Sequence, residues 1–210
     1  MYDAIGIFKD DAQVAATAAK VTGAKPGDVI FRDVNNDGKI DGDDRILFDR
    51  VDAPESFYGG SINVAWKGFT LYVQIQGQGE FLKNSQYDNR RGEAGNYYKW
   101  QYDGRWTPTN TNASVARAYN RDDLYWSPDV RMSDYWLENT AYCRLKNVML
   151  NYAIPTRFYS KIGIAKASIY FSGNNLALIY SATKKWDPET NNPGVYPSMK
   201  TFAVGANLTF

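Results

Sequence analysis

FTLYVQIQGQG, Phe69 to Gly79, alternates between two kinds of residue. Phe69, Leu71, Val73 and Ile75 fall on one parity, and Thr70, Tyr72, Gln74, Gln76 and Gln78 on the other. Strand side chains point alternately to opposite faces, so this period of two predicts a strand with unlike faces. The polar face is mostly glutamine. An apolar face against lipid and an amide face against a water-filled lumen satisfy both halves of the pattern. A soluble one-sided sheet satisfies the alternation equally well.

Four more segments share the period. Upstream, across a Lys67-Gly68 turn, lies SFYGGSINVAW (Ser56 to Trp66), with Tyr58, Ile62, Val64 and Trp66 on one parity. Downstream come AYCRLKNVMLNYAI (Ala141 to Ile154), closed by Pro155, and AKASIYFSGNNLAL (Ala165 to Leu178). Proline has no N–H for a ladder and so ends the pairing. The last is TFAVGANLTF, with Phe202, Val204, Ala206, Leu208 and Phe210 on one face.

Connection lengths separate the two readings. Short links, Lys67-Gly68 and Pro155 to Ile164, alternate with long ones, residues 80–140 and 179–198. Outer-membrane barrels alternate short periplasmic turns with long extracellular loops. With the last strand ending in the periplasm, both short links fall inside and both long ones outside. The expected fold is therefore all-β: an antiparallel, up-and-down transmembrane β-barrel segment with long extracellular loops. Residues 56–210 would supply about five C-terminal strands of a large plugged barrel, and residues 1–55 an extracellular loop region. Five strands do not close a barrel, and an open lipid-facing edge is not tolerated, so a fragment is expected. Met1-Tyr2-Asp3 begins no signal peptide, which in a secreted protein implies a missing N-terminus. A short helix capped by Asp10 or Asp11 is predicted in DDAQVAATAAK.

Composition narrows the chemistry. The 210 residues carry 24 basic and 23 acidic side chains, a net charge of +1, which gives no electrostatic reason for a nucleic-acid partner. Histidine is absent and Cys143 is the single cysteine. Ser-His and Cys-His nucleophile pairs, internal disulfides and Cys-based zinc sites are excluded together. Cys143 reads as a small packing residue. Tyr, Phe and Trp make 15% of the chain, suiting interfaces and the membrane–water boundary. The aromatic runs YYKWQYDGRW and SDYWLEN fit sugar stacking or, more simply, an aromatic girdle and loop packing. Asp134 with Glu138, or Asp187 with Glu189, has the residue types of a glycosidase pair, but surface carboxylates are far commoner. No enzymatic activity is expected.

DVNNDGKIDGDD, Asp33 to Asp44, is the most specific local signal. Calcium loops place oxygen ligands at positions 1, 3, 5, 7, 9 and 12, with glycine at 6 for the sharp turn. Those positions are Asp33, Asn35, Asp37, the Lys39 carbonyl, Asp41 and Asp44, with Gly38 at the turn. A structural Ca2+ is the expected occupant; the competing reading is a hairpin of Asx turns without metal. Asp at position 12 and the lack of a flanking helix pair make the loop resemble a dockerin loop more than a sensor EF-hand.

Several blocks, in order, resemble the SusC/RagA outer-membrane proteins of Bacteroidetes. They are YDAIGIF (2–8), GDVIFRDVNNDGKIDGDDR (27–45), FYGGSINVAWKGFTLYVQIQGQG (57–79), RWTPTNTNA (105–113) and SDYWLENTAYCRLKNVMLNYAIP (133–155). IYFSGNNLALI, WDPET and the ending TFAVGANLTF complete the set. The resemblance implies a TonB-dependent barrel in the outer membrane, embedded in its lipid. Such a barrel imports an oligosaccharide or peptide substrate beneath a SusD-type surface lipoprotein. TonB would act through a plug region that this sequence does not contain. The alternative from a different class is a soluble, calcium-stabilised β-rich binding module of dockerin or lectin type.

Overall fold

The computed structural model describes residues 1–48, 53–85, 98–118, 133–190 and 195–210. Two compact units divide the chain: Met1–Arg50 with Asn84–Leu137, and Val51–Lys83 with Glu138–Phe210.

In the first unit, β1 (Ala4–Ile7) and β2 (Val29–Phe31) pair antiparallel. Between them, α1 (Asp11–Ala16) starts at Asp10, whose carboxylate accepts the Gln13 N–H and satisfies one of the donors left open at a helix start. Tyr2, Val29, Phe31 and Ala116 form the core, with the Tyr2 and Phe31 rings 5.4 Å apart. Asp28 is fully buried and answered by the Arg117 guanidinium, as a buried carboxylate requires. Asp134 accepts the Ala4 N–H at 2.8 Å. Burial pushes its carboxyl above the usual range, and that hydrogen bond opposes the rise. The same unit holds α2 (Lys99–Gly104). Neither β1 nor β2 is visible in the sequence, because three or four residues are too few to establish a period.

The second unit is a five-stranded antiparallel meander. Its strands are β3 (Phe57–Trp66), β4 (Phe69–Gln78), β7 (Tyr142–Ala153), β8 (Lys166–Ser181) and β9 (Thr201–Thr209), in that spatial order. β5 (Leu82–Asn84) and β6 (Leu137–Asn139), both in the long β4–β7 connection, form a separate pair. All five long strands match segments predicted from alternation. β8 runs on to Ser181 instead of stopping at Leu178, because Tyr142 and Cys143 offer partners to Ser181 and Tyr180. The Lys67-Gly68 turn has φ of 48° and 85°, both left-handed, as a two-residue hairpin of the primed type demands.

Register makes the two faces continuous across the sheet. One row runs Trp66, Phe69, Tyr152, Ile169, Ala206; the next runs Val64, Leu71, Leu150, Phe171, Val204; a third runs Ile62, Val73, Val148, Gly173, Phe202. Most of these large apolar side chains are exposed. A soluble sheet would bury such a face under a second layer. Bulges between Gln74 and Ile75 and between Leu145 and Asn147 insert an extra residue without inverting the faces. Tyr58 lies over Gly77, where a Cβ would strike its ring, and donates its hydroxyl to the Tyr142 carbonyl at 2.7 Å.

Candidate functional site

The opposite face of the meander is polar and nearly free of charge. Its central row is Ser61, Gln74, Asn147, Asn174, Thr201. Asn147 donates its amide to Asn174 at 2.7 Å, and Asn174 donates to Thr201 at 3.3 Å. Adjacent rows add Asn63, Tyr72, Ser172, Asn151 and Tyr170. These groups both donate and accept, and none carries a formal charge, so they form an uncharged hydrogen-bonding surface.

Toward the long-loop end the polar face becomes covered. Tyr142, Arg144 and Gln78 are 4%, 4% and 6% exposed. The covering element is the turn Asp187–Thr190, from the connection after β8. Arg144 Nη2 donates to Asp187 Oδ1 at 2.6 Å, and its Nε lies 3.2 Å from Glu189 Oε1. The second contact is an ion pair whose angle falls short of a hydrogen bond. Lys146 donates to both Glu189 oxygens, at 3.1 and 2.9 Å. Lys83 donates to the Pro188 and Thr190 carbonyls, each at 2.8 Å. Burial lowers the Lys83 ammonium's affinity for its proton, while Asp187 and Glu189 act in the opposite sense. The Ser198 N–H closes the cluster onto Asp187 Oδ2 at 2.9 Å. Three cations thus grip two carboxylates and two carbonyls, and the turn is clamped to the sheet.

The carboxylates with the residue types of a glycosidase pair are accordingly engaged elsewhere. Asp187 and Glu189 serve the clamp, Glu138 accepts from Lys185 at 2.6 Å, and Asp134 holds the Ala4 backbone. Of the aromatic runs, Tyr97 lies outside the described residues. Tyr98 stacks near-parallel on Trp100, and Tyr135 meets Trp136 edge-on, so these rings pack on one another. Cys143 is a free thiol in β7.

The Asp33–Asp44 segment is an ordered loop stitched by its own acceptors. Asp33 accepts the N–H groups of Asp37 and Gly38 at 3.2 and 2.9 Å. Asn35 accepts from Asp37, Asp37 from Lys39, and Asp41 from Asp43, at 2.9–3.0 Å. Gly38 has φ of 82°, a left-handed turn that a Cβ would strain. Asp44 is fully buried; its two oxygens accept from Val34 and Asp41, both at 2.8 Å, closing the loop end to end. Lys39 offers only its carbonyl as an oxygen. Among the described residues, no three His, Cys, Asp or Glu side chains gather closely enough to hold a metal ion. The side chains at positions 1, 3, 5, 9 and 12 all spend acceptors on backbone N–H groups, with lone pairs to spare on each oxygen.

A five-stranded meander with one uncovered apolar face, one amide-lined face and alternating short and long links has the architecture of a transmembrane β-barrel wall. Comparison with known proteins agrees. No family model matches the chain. TonB-dependent receptor P3 of Formosa agariphila is 28% identical over 227 residues, covering 100% of this chain and 22% of that protein. TonB-dependent receptor SusC of Bacteroides thetaiotaomicron is 26% identical over 196 residues, covering 89% of the chain and 18% of the receptor. Among solved structures, the RagAB peptide transporter superposes with a TM-score of 0.68 at 24% identity, over 100% of this chain and 22% of that one. The RagAB peptide importer in its closed-closed state gives 0.65. The chain resembles SusC-type TonB-dependent receptors along its whole length. It spans about a fifth of the length of the relatives it matches.

Proposed function

We propose that these strands and loops form part of the wall and outer mouth of a TonB-dependent outer-membrane transporter for oligomeric nutrients. The single observation that carries this reading is the two-faced meander: an exposed aliphatic and aromatic face backed by an uncharged amide face. Lipid meets the first and the solute path the second. The amide rows engage glycan hydroxyls or peptide amides reversibly, with no covalent step. The named likenesses, a SusC and a peptide importer, support this solute class, and a SusD-type lipoprotein is the corresponding partner. TonB supplies the energy through a plug region. The soluble-module alternative fares worse, because none of the described residues of the second unit covers the apolar face.

The test is genetic. A strain lacking the gene is expected to lose growth on at least one oligosaccharide or peptide while keeping growth on its monomers. Unchanged growth on every oligomer, with the protein in the soluble fraction, would count against the reading.

We further propose that the Asp33–Asp44 loop takes a structural Ca2+. Asp33, Asn35, Asp37, Asp41, Asp44 and the Lys39 carbonyl would hold it once their side chains, which do not converge in this structure, turn inward; the ligand spacing and the Gly38 turn support this reading. A flexible set of six oxygens suits calcium, whereas magnesium keeps its waters and demands a strict octahedron. Calorimetry is expected to show calcium binding at about 10⁻⁴–10⁻³ M, the range of extracellular modules, with no competition from equimolar magnesium. Asp33→Ala should abolish that heat. No calcium heat from a folded loop would leave the Asx-turn hairpin as its whole role.

A further inference from the structure

The charges of the second unit are segregated. Residues 56–79, 139–182 and 195–210, which hold all five long strands and both short turns, contain no Asp or Glu. Arg144 and Lys146 sit at the long-loop end and are neutralised there by Asp187 and Glu189. Lys67, Arg157, Lys161 and Lys166 sit at the short-turn end, all exposed, and the strands and turns that carry them contain no Asp or Glu. This rim keeps a net charge of +3 even with an α-carboxylate on Phe210 counted.

The same rim is aromatic. Lys67 Nζ lies 4.7 Å from the Trp66 ring centroid, and the Arg157 guanidinium lies 4.8 Å from that of Phe158. Phe158 and Ile162 are 67% exposed, and the Phe69 and Tyr152 rings stack at 4.5 Å beside them. Hydrogen bonds join the turns into one edge: Ala153 N–H to the Gly68 carbonyl, Ile154 to Ala167, and Ala165 to Thr209, at 2.8, 2.9 and 2.7 Å.

We propose that this rim is a binding surface for anionic phospholipid headgroups. The inference rests on the barrel reading above, with the short turns in the phospholipid leaflet. Rings at the foot of an apolar face sit at headgroup depth, where Trp and Tyr concentrate at membrane interfaces. Lys67, Arg157 and Lys161, on the two turns, reach past them with charged heads in the phosphate layer, while Lys166 starts on the amide face opposite Thr209 and adds its charge at the rim. Each basic side chain near an anionic surface adds attraction that salt screens. A zwitterionic headgroup leaves the +3 uncompensated; an anionic one answers it.

The test is quenching of Trp66 fluorescence in nanodiscs by phospholipids brominated on their acyl chains, read as the difference from Trp66→Phe. Phosphatidylglycerol is expected to outcompete phosphatidylcholine at this site by about three- to tenfold. The combined substitutions Lys67→Asn, Arg157→Gln, Lys161→Gln and Lys166→Gln should bring the preference to about one. Lys200→Gln, at the far end of β9, should leave it unchanged. If the fourfold variant does not assemble, raising salt to about 1 M should erase the preference of the unaltered protein. Equal quenching by both lipids, or a preference indifferent to salt and to the four substitutions, would overturn the headgroup site while leaving the barrel in place. Quenching by neither lipid would overturn the site and the barrel reading together.

Discussion

Val73→Arg is expected to leave little assembled protein in the outer membrane, whereas Gln74→Arg, one residue along, should leave assembly close to normal. Val73 is near the middle of β4, in the apolar row with Ile62, Val148 and Phe202. Gln74 is in the amide row with Ser61, Asn147 and Thr201. A guanidinium on the lipid face at mid-depth costs about 2–4 kcal/mol, a large part of a marginal stability, while the same group in a wet lumen stays hydrated. Surface labelling of cells bearing each variant checks the pair. Equal loss from both would mean that the faces are not lipid and water.

Arg144→Ala is expected to release the Asp187–Thr190 turn. The Arg144 and Asp187 side chains are 4% and 8% exposed, so removing the guanidinium strands a buried carboxylate. Glu189 retains Lys146 as a partner; among the described residues, Asp187 keeps only the Glu189 and Ser198 backbone N–H groups as donors. Breaking one side of a buried pair costs about 3–5 kcal/mol, far more than the pair contributes over an apolar substitute. Trypsin cleavage after Lys184 or Lys185 should accelerate at least about tenfold, because proteolysis follows local opening. Adding Asp187→Ala should restore part of the resistance, since it removes the stranded charge. A double variant as labile as the single one would show that the turn is held by other contacts.

How much of this was legible in the sequence follows from the length over which each pattern runs. β4 and β9 alternate for nine or ten residues, and their faces could be assigned from that alone. Alternation could not reveal the cross-strand rows, because register depends on which residue of β7 meets Gln74, and a bulge sits at that point. The clamp was also hidden. Arg144, Asp187 and Lys83 lie 43 to 107 residues apart in their contacts, and nothing local marks a salt bridge at that range. The Asp33–Asp44 spacing was readable residue by residue. The extent to which its acceptors are taken up by the loop's own N–H groups needed coordinates.

A meander that separates lipid from water leaves a signature in spin-label accessibility along β4. Nitroxides placed singly at positions 69 to 76 in the bilayer-reconstituted protein are relaxed by oxygen, which concentrates in lipid, or by a water-soluble nickel chelate. Positions 69, 71, 73 and 75 should respond to oxygen, and positions 70, 72, 74 and 76 to nickel, in strict alternation. Labels at 69, 71, 73 and 75 that respond to nickel, or are shielded from both reagents by a second layer of protein, would mean that this face does not meet lipid.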